Sequence, residues 1–164
     1  MLQQTTSEKK EKRSGILGRL MMGQSENRET TRDLEYLSED YEAMSRIAAN
    51  LSSHSRRIPY PFLQNRIKTL AEEVRALSEM IRSKIMSLGG KLPQVAVENR
   101  DVLEFRQNIK RLVRDMEEHS SQSETFVHQK NKIENQDVIK MISEIVLRMQ
   151  VQKDELMDIV MRLS

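Results

Sequence analysis

Apolar residues recur at steps of three and four along most of this chain, which is the spacing of one face of an α-helix. Four segments carry such a stripe of apolar residues. Helices of about 25–30 residues, each with a single apolar stripe, bury those stripes best when they pack side by side. The pattern therefore predicts an all-α domain, a four-helix bundle over residues 31–164.

Proline and glycine residues mark the ends of the first two predicted helices. Helix one is predicted to begin at Thr30 or Thr31, since either hydroxyl can cap a first turn, and to end before Pro59. Helix two is predicted to end at Gly89 and Gly90. The stripe of helix one is Leu34, Leu37, Tyr41, Met44, Ala48 and Leu51, and that of helix two is Leu63, Ile67, Leu70, Val74, Leu77, Ile81, Ile85 and Leu88.

The stripe of the third predicted helix is interrupted. This helix is predicted to begin near Asn99 or Asp101, and the polar residues 117–125 separate its two apolar parts. Helix four is predicted to run from about Gln136 to the last residues. The stripe of helix three is Leu103, Ile109, Leu112, Met116, Phe126 and Val127, and that of helix four is Val138, Ile142, Ile145, Met149, Gln152, Leu156, Ile159 and Leu163.

Residues 1–30 are polar and predict a disordered N-terminal arm that precedes the bundle. Residues 1–23 carry a net charge of +3, and the other residues sum to −1. A short apolar island lies within this basic arm. It could dock weakly on a protein partner or a membrane surface, or form an inert tail, and its residues are Ile16, Leu17, Leu20, Met21 and Met22.

Composition removes several classes of function. The chain has no Cys, which excludes disulfides, thiol catalysis and thiolate metal sites and fits a cytoplasmic protein. A net charge of +2 gives no basis for nucleic-acid binding. No apolar run is long enough to span a membrane. Neither a nucleophile motif nor a phosphate-binding glycine loop is present, so we predict no enzymatic activity.

Two stretches resemble a known superfamily. Residues 63–93 read LQNRIKTLAEEVRALSEMIRSKIMSLGGKLP, with paired acids and a Leu-Gly-Gly-x-Pro-like stop, and residues 137–163 read DVIKMISEIVLRMQVQKDELMDIVMRL. They resemble the second and fourth helices of ferritin-like proteins such as bacterioferritins and rubrerythrins. The resemblance implies two helical hairpins joined by a crossover, with helices two and three parallel. If residues 89–98 are too short for a crossover, an up-down-up-down bundle results.

The resemblance also implies where a di-iron site would lie, and this sequence lacks its ligands. The superfamily uses a Glu from each of two helices and a Glu-x-x-His from each of the other two. No Glu-x-x-His occurs here. Counting from Leu88-Gly89-Gly90 places one pair at Val74 and Leu77, and counting from Asp154-Glu155-Leu156 places the other at Met149 and Gln152. All four also lie on the apolar stripes.

The sequence therefore predicts a ferritin-like bundle that has lost its di-iron site and has no cofactor. On this hypothesis it is a non-catalytic interaction or structural module, which binds a protein partner or forms a homo-oligomer through its helix faces. The alternative is a divergent iron-binding or storage protein that uses carboxylates outside the stripes together with His119, although a hydrogen-bonded core group is the favoured interpretation of His119. The weak metal candidates are Glu39, Glu42, Glu73, Glu118 and His119.

Overall fold

The computed structural model describes the backbone of residues 5–95 and 105–163, and the side chains of residues 28–95 and 109–163. It contains four helices, α1 (Thr5–Ser55), α2 (Pro61–Ser87), α3 (Phe105–Lys130) and α4 (Gln136–Leu163), and no strand within those residues. The predicted four-helix bundle is confirmed. None of these helices, over the residues described, has the length and apolar character needed to cross a membrane.

Local chemistry explains the helix ends. Pro61 occupies the first turn of α2, where its fixed φ angle suits a helix and its missing N–H costs nothing. Gly89 ends this helix with a φ of 76°, in the left-handed region that favours glycine. At Gly90 a Cβ atom would lie 2.6 Å from Cδ2 of Leu34, so glycine lets α1 approach the end of α2 closely. Asn135 caps α4, because its Oδ1 accepts the backbone N–H groups of residues 137 and 138.

The four helices form a crossover bundle in which α2 and α3 are parallel. α1 is antiparallel to α3, since Asp40 contacts Gln129 near the end of α3 and His54 contacts Asp115 nearer its start. α1 and α2 form an antiparallel hairpin, as do α3 and α4. Within the described residues α1 and α4 do not pack against each other, nor do α2 and α3, so these two pairs are the diagonals. The up-down-up-down alternative is therefore wrong, because it would make α2 and α3 neighbours.

Most of the apolar stripes lie where the spacing placed them. Every stripe residue of α4 is buried, and so is every one of α2 except the partly buried Leu88. Since each of these helices buries one continuous stripe, the bundle has a single hydrophobic core along its length. The predicted start of helix three at Asn99 or Asp101 lies outside the described residues.

Helix α1 begins at Thr5 and so extends through most of the segment for which the sequence predicts a disordered arm. The apolar island at residues 15–23 lies on this extension, and side chains are described only from Arg28 onward. A helix that lacks packing contacts is marginally stable in water. The predicted disorder of the free arm therefore stays a prediction about the chain in solution.

Candidate functional site

The polar residues of α3 lie inside the bundle. Asp115, His119 and Gln129 are buried, and Gln122 is partly buried. Together with Leu112 and Phe126 they form a stripe with steps of three and four, which makes them one face of the helix. The apolar stripe is interrupted at residues 117–125 as predicted, but the buried face of α3 is not, because it continues through polar side chains. Three separate polar clusters result, each joining α3 to a neighbouring helix.

The first cluster lies at the positions that the ferritin resemblance assigns to metal ligands. Val74, Leu77 and Met149 are at most 1 % exposed, and Gln152 is 4 % exposed. The predicted inward orientation of all four residues is confirmed. The Gln152 side chain is held by two hydrogen bonds. Its Oε1 lies 3.1 Å from Nε2 of His119, and its Nε2 donates to Oε2 of Glu73 at 3.4 Å.

These contacts define the protonation of His119. Because an amide oxygen only accepts, Nε2 of His119 must carry a proton and donate it. Its Nδ1 is buried without a hydrogen-bond partner. Burial lowers the pKa of His119 from its ordinary value, and the hydrogen bond to Gln152 opposes that shift only in part. His119 is thus the neutral Nε2–H form, a hydrogen-bonded core residue as the sequence analysis favoured.

Replacing Gln152 with Leu is expected to destabilise the bundle by about 1–3 kcal/mol, because the buried Nε2–H of His119 loses its acceptor. Urea unfolding followed by circular dichroism measures this change. Gln150→Leu is the matched control, since Gln150 is exposed on the same helix. Equal effects of the two substitutions would contradict the role given to Gln152.

The weak metal candidates do not form one cluster. Glu39, Glu42 and Glu73 are exposed, Glu118 is half-buried, and His119 is fully buried. Oε2 of Glu118 is buried and has no hydrogen-bond partner. Across residues 28–95 and 109–163, no three His, Asp or Glu side chains are placed to hold a metal ion together. Val, Leu and Met offer no hard ligand for iron, so the inward positions do not fit a di-iron site.

The second cluster surrounds Asp40 of α1, which is 1 % exposed. Oδ1 of Asp40 accepts from Nε2 of Gln122 at 2.8 Å and from Nε2 of Gln129 at 3.1 Å. Two acceptors remain without partners, Oδ2 of Asp40 and Oε1 of Gln129. Burial raises the pKa of Asp40 to about 7, and the nearby Glu39 carboxylate adds to the rise while the two amides oppose it.

The third cluster is a buried pair between His54, in the last turn of α1, and Asp115 of α3. Nδ1 of His54 hydrogen-bonds Oδ2 of Asp115, and both side chains are almost completely buried. Neither Asp115 nor His54 was predicted to have a role, and Asp40 lies outside the stripe predicted for helix one. The signal was present, since Asp33, Leu37, Asp40, Met44, Ile47, Leu51 and His54 continue one period of three and four.

A groove lies on the opposite side of the bundle, between α2 and α4. The part beside Phe62 has a volume of about 630 Å³ and is lined by Phe62, Leu70 and Val151 together with charged residues. A second part of about 330 Å³ continues from it and shares Glu73, Val151 and Gln152. Gln152 therefore joins the floor of this groove to the buried His119.

An ion-pair cluster lies at the rim of the part beside Phe62. Arg66 of α2 bonds Glu155 at 2.5 Å and Asp158 at 2.8 Å on α4, and its guanidinium lies 5.6 Å from the centre of the Phe62 ring. The hydrogen bonds from Arg66 lower the pKa of Glu155, and Arg162 and Arg66 together lower that of Asp158. Both carboxylates are therefore ionised at neutral pH.

Comparison with known proteins gives a fold and no function. No protein-family model matches the chain, and no curated protein matches it either. An uncharacterised protein from Xanthomonas campestris pv. campestris has a similar crystal structure, with a TM-score of 0.66, 17% sequence identity and coverage of 82% of this chain and 92% of that one. At this identity the likeness shows a shared bundle fold alone.

Proposed function

We propose that this chain is a non-catalytic interaction module, a ferritin-like bundle whose di-iron site has been lost. Two features support the superfamily assignment. The hairpins are joined by a crossover that makes α2 and α3 parallel, which is the arrangement the resemblance implies. The Leu-Gly-Gly stop also lies at the end of α2, where Gly90 contacts Leu34.

The observation that carries the proposal is the chemistry of the four inward positions. Val74, Leu77 and Met149 fill the core with apolar side chains. Both polar atoms of the Gln152 side chain are hydrogen-bonded, Oε1 to His119 and Nε2 to Glu73. An unpaired carboxylate at such positions would be costly. A chain that had lost its metal would therefore be expected to carry apolar or fully hydrogen-bonded residues there.

The surface supports an interaction role. Phe62 of α2 and Leu147 and Val151 of α4 are each about two-thirds exposed or more, at 67%, 71% and 69%. They lie on or beside the two helices that form the groove. Exposed apolar side chains that share a face are typical of protein contact sites. We infer that the bundle binds through its α2 and α4 faces, in the cytoplasm as the sequence predicts.

Metal content tests the proposal. Full-length protein purified from iron-supplemented cells is expected to hold far less than one iron per chain by inductively coupled plasma mass spectrometry. Near-stoichiometric iron that is lost in Glu118→Ala or His119→Ala would establish the divergent iron-binding alternative instead. Glu35→Ala and Glu144→Ala are controls, because both side chains are exposed and neither residue is among the metal candidates. Circular dichroism of each variant separates lost binding from lost folding.

A further inference from the structure

The α2–α4 groove has the chemistry of a site for a basic apolar segment. The part beside Phe62 has an apolar floor and wall, formed by Phe62, Leu70 and Val151. Its charged lining residues are four carboxylates and one guanidinium, a net charge of −3, and they are Glu73, Asp154, Glu155, Asp158 and Arg66. A segment that fits this lining would present aliphatic side chains on one face and positive charge beside them.

The arm of this chain has that composition. Residues 1–23 carry five basic and two acidic residues, a net charge of +3 that matches the groove in magnitude and opposes it in sign. On a helix of 3.6 residues per turn, Ile16, Leu17, Leu20 and Met21 fall within an arc of about 140°. This stripe is the pattern of a helix that docks its apolar face in a groove.

The path of α1 past the end of α2 favours docking of the arm on a second molecule. α1 passes the end of α2 at Leu34, which lies against Gly90, whereas the acidic part of the groove beside Phe62 and Arg66 is at the other end of α2. Residues 5–30 extend α1 on the N-terminal side of Leu34 by about 39 Å at 1.5 Å per residue. That length matches α2, whose 27 residues span about 40 Å. A continuous α1 helix from Thr5 to Ser55 cannot fold back onto the groove of its own copy, so docking on a second copy requires the arm to be helical.

We propose that residues 15–23 of one copy dock in the α2–α4 groove of a second copy, so that the chain self-associates through its arm. This inference rests on the proposed interaction function and names the partner as a second copy of the chain. The apolar stripe of the arm covers Phe62 and Val151, and its basic residues lie beside the carboxylates of α4.

Association of the full-length chain tests this. Sedimentation equilibrium is expected to show a reversible oligomer that weakens as salt is raised, since attraction between exposed charges is screened. Leu20→Asp in the arm and Val151→Asp in the groove should each raise the dissociation constant by about tenfold or more, the effect of removing one central apolar anchor. Val127→Asp is the matched control, because Val127 is exposed on α3 and outside the groove.

Cross-linking tests the pairing directly, because the chain has no cysteine of its own. A mixture of Leu20→Cys and Val151→Cys chains, treated with a short bismaleimide, is expected to give a mixed dimer. A mixture of Leu20→Cys and Val127→Cys chains should give none. The proposal is overturned by a chain that stays monomeric at all concentrations, or by an oligomer that Leu20→Asp and Val151→Asp leave unchanged. An oligomer that the two substitutions leave unchanged would still agree with the proposed interaction function. Stoichiometric iron would contradict that function but would not affect the interpretation of the cross-link.

Discussion

Replacing Asp40 with Asn is expected to stabilise the bundle at pH 8 and to change its stability little at pH 4. Asp40 is buried between two glutamine amides of α3, and its Oδ2 faces no donor. A proton on this carboxyl turns one of two unsatisfied acceptors into a donor. Asparagine supplies an N–H in the same place at every pH, so it imitates the protonated acid and removes the cost of burying a charge.

The sign and size of the effect follow from the pKa. Burial raises the pKa of Asp40 from 3.8 to about 7 in the folded state. The folded protein therefore holds this proton more tightly than the unfolded chain does. The contribution of the protonated Asp40 to the free energy of unfolding is complete below pH 4 and is lost as the pH rises through 7. About three pKa units correspond to a loss of up to about 4 kcal/mol. Asp40→Asn should recover most of that loss at pH 8.

Chemical unfolding of the wild type and the variant from pH 4 to pH 8 measures this effect. The difference between the two curves must be used, because His119 acts in the opposite direction. The lowered pKa of His119 means that its contribution to stability is lost as the pH falls below 6.5. Glu39→Gln controls for the exposed neighbouring charge. A difference that does not grow between pH 4 and pH 7 would contradict the assignment of a proton to Asp40.

The sequence predicted α2 and α4 well because their buried stripes are apolar. Period and hydrophobicity then agree at every stripe position except Gln152, from Leu63 to Ile85 and from Val138 to Leu163. The stop at Gly89 was equally clear, since only glycine readily takes its left-handed conformation. These are local signals, and they can be read from one sequence without any knowledge of neighbouring helices.

The polar part of the core was harder to predict because hydrophobicity and period disagree there. The apolar residues of α1 suggested a stripe through Tyr41, which is only partly buried, while the buried position next to it is Asp40. On α3 the buried His119 lay inside a run that was interpreted as an interruption. Such residues can be buried because a neighbouring helix supplies a hydrogen-bond partner. That partner is set by tertiary packing, which the spacing along one helix does not contain.

The candidate site was predictable in position and less so in chemistry. Counting from two sequence anchors placed Val74, Leu77, Met149 and Gln152 in the core, where all four lie. The hydrogen bonds from Gln152 to Glu73 and His119 depend on how α2, α3 and α4 are shifted along their axes relative to one another. The groove between α2 and α4 likewise depends on the separation of two helices, so nothing in the sequence of either one indicates it.

Replacing His54 with Leu is expected to destabilise the bundle by about 1–3 kcal/mol, because the substitution removes a hydrogen-bond partner of the buried Asp115. His54 and Asp115 join the last turn of α1 to α3, and both side chains are almost inaccessible to solvent. In the variant, Oδ2 of Asp115 loses the ring N–H that it contacts, and an apolar side chain faces a buried carboxylate. That desolvation cost accounts for most of the expected loss.

The double substitution His54→Leu with Asp115→Leu separates the worth of the pair from the cost of breaking it. Well-packed apolar residues can replace a buried ion pair with little loss or even a gain in stability. We therefore expect the double variant to be more stable than His54→Leu alone, as measured by urea unfolding at pH 7. His128→Leu should change stability by no more than about 0.5 kcal/mol, since His128 is exposed on α3. If the separate effects of His54→Leu and Asp115→Leu simply add in the double variant, the two residues act independently, and the pair does not couple α1 to α3. Coupling would instead mean that the polar contact between His54 and Asp115 joins α1 to α3 at a place where apolar residues could also pack. The contact would then fix the register of the two helices and would not raise the stability of the bundle.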